Sequence, residues 1–369
     1  MARKPGPASK RPRRKASRKQ DTPDPPALGP GERFVEAFPL IEGAPVPTWA
    51  RVKRRPRPDE GLMGILPAGA IALKPNRPTG PADLRSIRRP ANPRTQFLLV
   101  GEGFPDTGSK RFFDRAEKVA AGLLLAEPFK SLEANIAIHA LFLPLAGNAV
   151  VDIGCDRSAA NKAKLKPTLF ATQCCVDGRT SHLWCGDEDV VRKEVGVALA
   201  KDGRAIGDYQ FLAVLIDSPS YGGAGSIPNS TAKPRMAWAT TDHPLSLLIL
   251  LHELGHAFGL QDEYETAQAE PVKPWRNISR FARPDATPWQ GLVSAPNHAA
   301  VTCPAGTKWT GALGTIGTFE GAGYKVRDRY RPTVQCRMRE LAADFCAVCA
   351  DHIKSAIDPG HAGKAGEES

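Results

Sequence analysis

From Thr95 onward, apolar and polar residues follow two distinct periods, and the elements can be read from them. Gln96 to Val100 is a short apolar run closed by Gly101, the pattern of a buried strand. Ser109 to Leu125 places Phe112, Ala116, Ala120 and Leu123 on one face of a helix. Ile136 to Leu145 reads as a second strand and Glu188 to Ala200 as a second helix. Phe211 to Asp217 is apolar until its last residue, which fits a strand covered on both faces. The run Ser220-Tyr-Gly-Gly-Ala-Gly reads as a loop, Arg235 to Thr241 as a further extended segment, and Leu245 to Leu260 as a largely buried helix. Strands alternating with helices predict an α/β (α+β) domain, a mixed twisted sheet flanked by helices.

The pattern before Thr95 is different. Strand-like fragments such as Arg33 to Ala37 and Gly69 to Leu73 stand between prolines, and 18 of the 34 prolines fall in the first 95 residues. Four regions are expected: an arm over 1–30, an irregular or β-rich extension over 31–94, the main domain over 95–355 and a flexible tail over 356–369. The charge follows the same division. Of the 369 residues, the first 95 carry 21 Lys and Arg against 8 Asp and Glu, while the rest carry 29 against 31. The net charge of +11 is therefore a property of one appendage, which excludes a uniformly basic nucleic-acid-binding fold. Residues 1–30 have too little apolar surface to offset chain entropy and read as a disordered, solvated basic arm. Contact of that arm with nucleic acid or an anionic surface is the lesser reading, because no aromatic residue interleaves its charges. No run approaches the roughly 18 apolar residues of a membrane span. No Sec-type leader is expected either, although eight cysteines keep export open.

The chemistry is concentrated in LSLLILLHELGHAFGLQDEY, Leu245 to Tyr264. Pro244 suits a first helical turn, with Asp242 as the expected cap. His252 and His256 are four residues apart, so both imidazoles lie on one side of the helix and can share an ion. Glu253 projects from a neighbouring position, within reach of a proton on a metal-activated water. Gly259 is placed to end the helix, after which the chain returns Asp262 toward the ion. Two histidines, one carboxylate and an open position are the donor set of a catalytic zinc. Asp262 is favoured as third ligand over its longer neighbour Glu263. Glu263 and Tyr264 are expected to hydrogen-bond around the turn and orient the ligands.

HELGHAFGLQDEY, from His252 to Tyr264, resembles the IgA-peptidase family of zinc metallopeptidases, which are metzincin-like in architecture. Three other stretches are similar to the same family: Phe97 to Phe104, Ala126 to Leu145 and Phe319 to Cys349. The resemblance implies a metallopeptidase catalytic domain over 95–355, one catalytic Zn2+, a protein or peptide substrate, and an edge strand ahead of the metal helix that pairs with that substrate. It also implies a methionine turn under the metal, for which Met338 in Cys336-Arg-Met-Arg is the match. Tyr324 and Tyr330, in the C-terminal stretch, are candidate phenolic donors to an oxyanion. The family's immunoglobulin substrate does not transfer on zinc ligands alone.

The cysteines form two groups: Cys155, Cys174, Cys175 and Cys185, then Cys303, Cys336, Cys346 and Cys349. Cys346-Ala-Val-Cys349 has metal-ligand spacing, so a structural zinc with Cys303 and Cys336 and disulfides within each group both fit. A single catalytic ion is favoured over a second, structural one. The expected function is a zinc-dependent endopeptidase with Glu253 as general base. The alternatives are a zinc-containing binding module without catalysis and a protein directed to nucleic acid or an anionic surface by its arm.

Overall fold

The computed structural model describes residues 74–147, 151–152, 158–174, 188–225, 233–265, 275–294 and 301–361, with the backbone of four short strands between residues 32 and 53. Of those four, Glu32–Ala37 pairs antiparallel with Thr48–Lys53, and Leu40–Ile41 with Ala44–Pro45. The expectations for residues 1–30 and for Gly69 to Leu73 lie outside the described residues.

The centre is a mixed sheet of six strands: β1 (Asp83–Arg88), β2 (Thr95–Glu102), β3 (Ile136–Phe142), β4 (Phe211–Ile216), β5 (Gly223–Gly225) and β6 (Arg235–Thr240). They run in the order β1-β3-β2-β4-β6-β5. The four inner strands are parallel, and the edge strands β1 and β5 are both antiparallel to their neighbours. Among the described residues, four helices longer than one turn accompany the sheet: α1 (Ser109–Leu125), α2 (Glu188–Lys201), α3 (Ser246–Ala257) and α4 (Ala347–Ile357). The architecture is a mixed α/β sheet flanked by helices. No helix among the described residues is long and apolar enough to cross a membrane.

Alternation along the strands builds two cores. Phe97, Leu99, Ile138, Phe211, Ala213 and Ala237 point toward α1, α3 and α4, while Leu98, Val100, Leu212, Val214 and Trp238 point toward α2. This is why β4 reads as an unbroken apolar run: every one of its residues is buried, half on each side. The helical face read from Phe112, Ala116, Ala120 and Leu123 is fully buried as well. Phe258, just past α3, is the key of the first core. Its ring lies 4.1 Å from that of Phe211, which stacks on Phe97 at 5.0 Å. Burial of one such ring contributes about 1.5–3 kcal/mol.

Two elements differ from the sequence reading. The glycine run after Ser220 contains the edge strand β5, because its small residues serve close approach as well as turning. A Cβ on Gly225 would stand 2.5 Å from the Glu253 carbonyl oxygen and 2.6 Å from the His256 Cβ. β1, in the stretch read as an extension, pairs with β3 and closes the sheet on its other side. Asp242 also serves differently. Its carboxylate binds Arg111 and Arg115 of α1, while the first turn of α3 uses the His243 Nδ1 to accept from the Leu245 N–H at 3.1 Å. Two guanidiniums neutralise Asp242 in place of the helix amides.

Gly225→Ala should cost about 1–3 kcal/mol by forcing β5 off α3; an unchanged denaturation midpoint would remove close approach as a constraint. His139, 3% exposed at the centre of β3, carries a pH dependence. Burial first, then the charges of Arg204 and Arg89, hold its pKa down to about 4. The unfolded chain, with a His pKa near ~6.5, binds the extra proton first. Stability is therefore full above pH ~6.5 and falls as the pH drops toward 4, by at most about 3 kcal/mol. His139→Leu should flatten the pH profile of the melting temperature in that window.

Candidate metal centre

The site is built on the buried last turns of α3. His252, Glu253 and His256 are each at most 1% exposed, so their polar atoms need partners inside the protein. The helix ends just beyond, at Gly259, whose φ of 97° few other residues adopt. The N–H of Gly259 donates to the His256 carbonyl at 2.7 Å, and that of Leu260 to the Gly255 carbonyl at 2.9 Å. This reversal returns the chain alongside its own helix, and it brings Asp262 to the two imidazoles.

Three donor atoms converge there. Asp262 Oδ1 lies 3.2 Å from His252 Nε2 and 3.4 Å from His256 Nε2. The other ring nitrogens are already committed. His252 Nδ1 is 2.9 Å from the Arg337 carbonyl oxygen, and His256 Nδ1 is 3.0 Å from that of Leu260. A carbonyl only accepts, so in both rings the proton sits on Nδ1. Each neutral imidazole then turns the lone pair of Nε2 toward a carboxylate oxygen. Three lone pairs facing one point repel unless a cation lies between them or the rings are protonated. Burial alone raises the Asp262 carboxyl, and protonated His256 and His252 would override it and hold it well below the usual carboxylate range. The donor set, two imidazoles with a buried carboxylate, fits zinc.

The surroundings fix these donors. Tyr324 donates its hydroxyl to Asp262 Oδ2, so the two carboxylate oxygens face different partners. Tyr324 sits at the tip of a hairpin formed by Thr318–Ala322 and Lys325–Arg331, strands β8 and β9 of a small sheet that begins with β7 (Thr302–Cys303). Its φ of 67° is unusual for a tyrosine. Two backbone bonds hold the tip there: Gly323 N–H to the Asp262 carbonyl and Tyr324 N–H to that of Tyr264, both 3.0 Å. The rings of Tyr264 and Tyr324 lie 5.6 Å apart. Met338 is fully buried beneath α3, and a Cβ on Gly255 would come within 2.4 Å of its sulfur. The thioether thus lies against the α3 backbone at Gly255, the residue before His256. On the other side of α3, a Cβ on Gly223 would lie 2.8 Å from Glu253 Oε1, so β5 passes directly over that carboxylate.

Glu263 faces away from this centre. Its N–H donates to the Met338 carbonyl at 2.8 Å, and its carboxylate receives Asn277 Nδ2 at 3.0 Å and Cys349 Sγ at 3.1 Å. Burial first, then Cys346, push its pKa up to about 8. Tyr330 lies farther along β9 and pairs through its backbone with Ser279 and Glu320. Cys336, Cys346 and Cys349 gather with Glu263, whereas Cys303 stays on the small sheet with its thiol 3.5 Å from the Thr307 carbonyl. Cys174 lies 3.5 Å from the Ser218 hydroxyl, and Cys155, Cys175 and Cys185 are outside the described residues.

Sequence reasoning missed Asn277 and the Arg337 carbonyl. Asn277 clamps the turn both ways, accepting from Gln261 N–H at 3.0 Å and donating to the Gln261 carbonyl at 2.7 Å. A lone asparagine far from any motif carries no signal, and a backbone carbonyl carries none at all.

The model of the IgA peptidase M64 family matches residues 87–310. The matched span contains α3 and Asp262 and stops before the hairpin and turn that bring Tyr324 and Met338. No curated protein matches the chain.

Tyr324→Phe should weaken metal binding about 10–100-fold by leaving Asp262 Oδ2 without its donor. Competition with a chelator measures this, and wild-type affinity would dismiss Tyr324 as the positioning residue.

Proposed function

The chain belongs to the IgA peptidase M64 family, and from that membership, which makes it a metallopeptidase, we propose that it is a zinc-dependent endopeptidase with a metzincin-like catalytic centre. His252, His256 and Asp262 would hold the ion. The observation that carries the reading is the meeting of the His252 and His256 Nε2 atoms with one Asp262 carboxylate oxygen, 3.2 and 3.4 Å from it, at a single buried point. When bound, zinc supplies Lewis acidity that polarises a peptide carbonyl and acidifies water.

The protein's own groups do the rest. Glu253 takes the proton from the attacking water on its carboxylate and delivers it to the departing amine nitrogen. It does not share the point at which His252, His256 and Asp262 meet, so it remains a base and not a ligand. The Arg337 and Leu260 carbonyls keep both imidazoles in one tautomer. Tyr324 is assigned the orientation of Asp262 in preference to an oxyanion, because its hydroxyl is already given to that carboxylate. Met338 gives the imidazoles an apolar floor. β5, last in the sheet and packed on α3, gives an extended peptide a backbone with which to pair.

Glu253→Gln should retain its zinc while peptide hydrolysis falls by at least about 10²–10⁴-fold. Metal analysis and cleavage of a mixed peptide library on one sample measure both, and hydrolysis at the wild-type rate would sink the mechanism.

A further inference from the structure

We propose that Glu263, Cys336, Cys346 and Cys349 hold a second divalent ion, a structural zinc that ties the turn carrying Asp262 to the Met338 turn and to the start of α4. These four residues are all buried, and one donor atom from each lies within 4.8 Å of the others. Tetrahedral zinc with bonds of about 2.3 Å to sulfur and 2.0 Å to oxygen separates its ligand atoms by about 3.5–3.8 Å. Cys336 Sγ and Cys349 Sγ are 3.6 Å apart, and Cys349 Sγ is 3.1 Å from Glu263 Oε1. The sulfur spacing is that of two ligands on one ion and far exceeds the ~2.05 Å of a disulfide.

A second observation points into the same cluster. Glu263 Oε2 is buried without a hydrogen-bond partner among the described residues, although Oε1 has two. A wholly buried carboxylate with one oxygen unengaged carries a desolvation cost that a cation removes. The backbone is also arranged for thiolates. Cys346 caps α4 and Cys349 lies in its first turn, where the helix dipole favours negative charge. The Cys346 N–H reaches Cys336 Sγ at 3.3 Å. Three sulfurs and one oxygen suit zinc over magnesium or calcium. On binding, each thiol releases its proton to solvent. Glu263 takes the place that the cysteine spacing suggested for Cys303.

This site shares no ligand with the catalytic centre and stands whether or not that centre is occupied. Its effect on catalysis is positional, since Glu263 is the next residue after Asp262, and Cys336 is two before Met338.

The test is cobalt substitution of the full chain purified under reducing conditions. Thiolate ligands give a near-ultraviolet charge-transfer band that two histidines and an aspartate cannot give. The band should appear in the wild type, persist in His252→Ala/His256→Ala and Cys303→Ser, and vanish in Cys349→Ser. The histidine variant should also keep one equivalent of zinc. A wild-type spectrum without the band, or a mapped disulfide joining any two of the three cysteines in fresh protein, overturns the proposal. Failure of the catalytic reading alone would leave the band intact. The wild-type spectrum decides even if Cys349→Ser does not fold.

Discussion

The arrangement of the site rests on a repulsion. Two imidazoles with their Nδ1 protons committed to carbonyls, and a carboxylate oxygen between them, present like-signed lone pairs to one another inside a dry interior. Left alone, that geometry relaxes by moving apart or by capturing protons. It keeps its shape only because the surrounding chain over-determines it: the helix end on one side, the hairpin tip with Tyr324 on another, and the Met338 turn beneath. Each of those elements contributes a backbone group, the Leu260 and Arg337 carbonyls to the imidazoles and the Gly323 N–H to the Asp262 carbonyl, and the hairpin adds the Tyr324 hydroxyl.

The rest of the fold serves this convergence. The sheet positions α3 through Phe258, which seats the helix end on Phe211 and Phe97. On the outer side, two glycines of β5 allow a strand to lie against the helix at a distance no side chain tolerates. Gly255 does the same for Met338 from below. Small residues at the contact points let three layers meet at the level of His252 and His256.

Most of the sheet was legible in the sequence because its inner strands are covered on both faces and so appear as continuous apolar runs. β5 was not, since three small residues carry neither apolar period nor β propensity. β1 was hidden by its charges and by the flanking Pro81 and Pro90, a pattern that belongs to an edge strand. In the site, His252, Glu253, His256 and Asp262 stand in one local motif, and local motifs survive without tertiary knowledge. Asn277 and Tyr324 reach the turn from segments far along the chain. The sequence offers Tyr324 as an oxyanion donor, but its hydroxyl is given to Asp262, a relation that only the hairpin's tip creates. The cysteine spacing pointed to Cys346 and Cys349 but not to Glu263, because a carboxylate substituting for a thiolate leaves no pattern.

Asp262 and Glu263 are adjacent, yet their side chains are bound in opposite directions, one to the histidine pair and the other to Cys349 and Asn277. The single peptide unit between them is therefore the hinge pin of two unlike polar clusters. A substitution of either carboxylate disturbs one cluster, whereas a change in chain length between Gly259 and Asp262 displaces both carboxylates at once. Whatever moves that peptide unit moves the two clusters together, so neither can shift without the other.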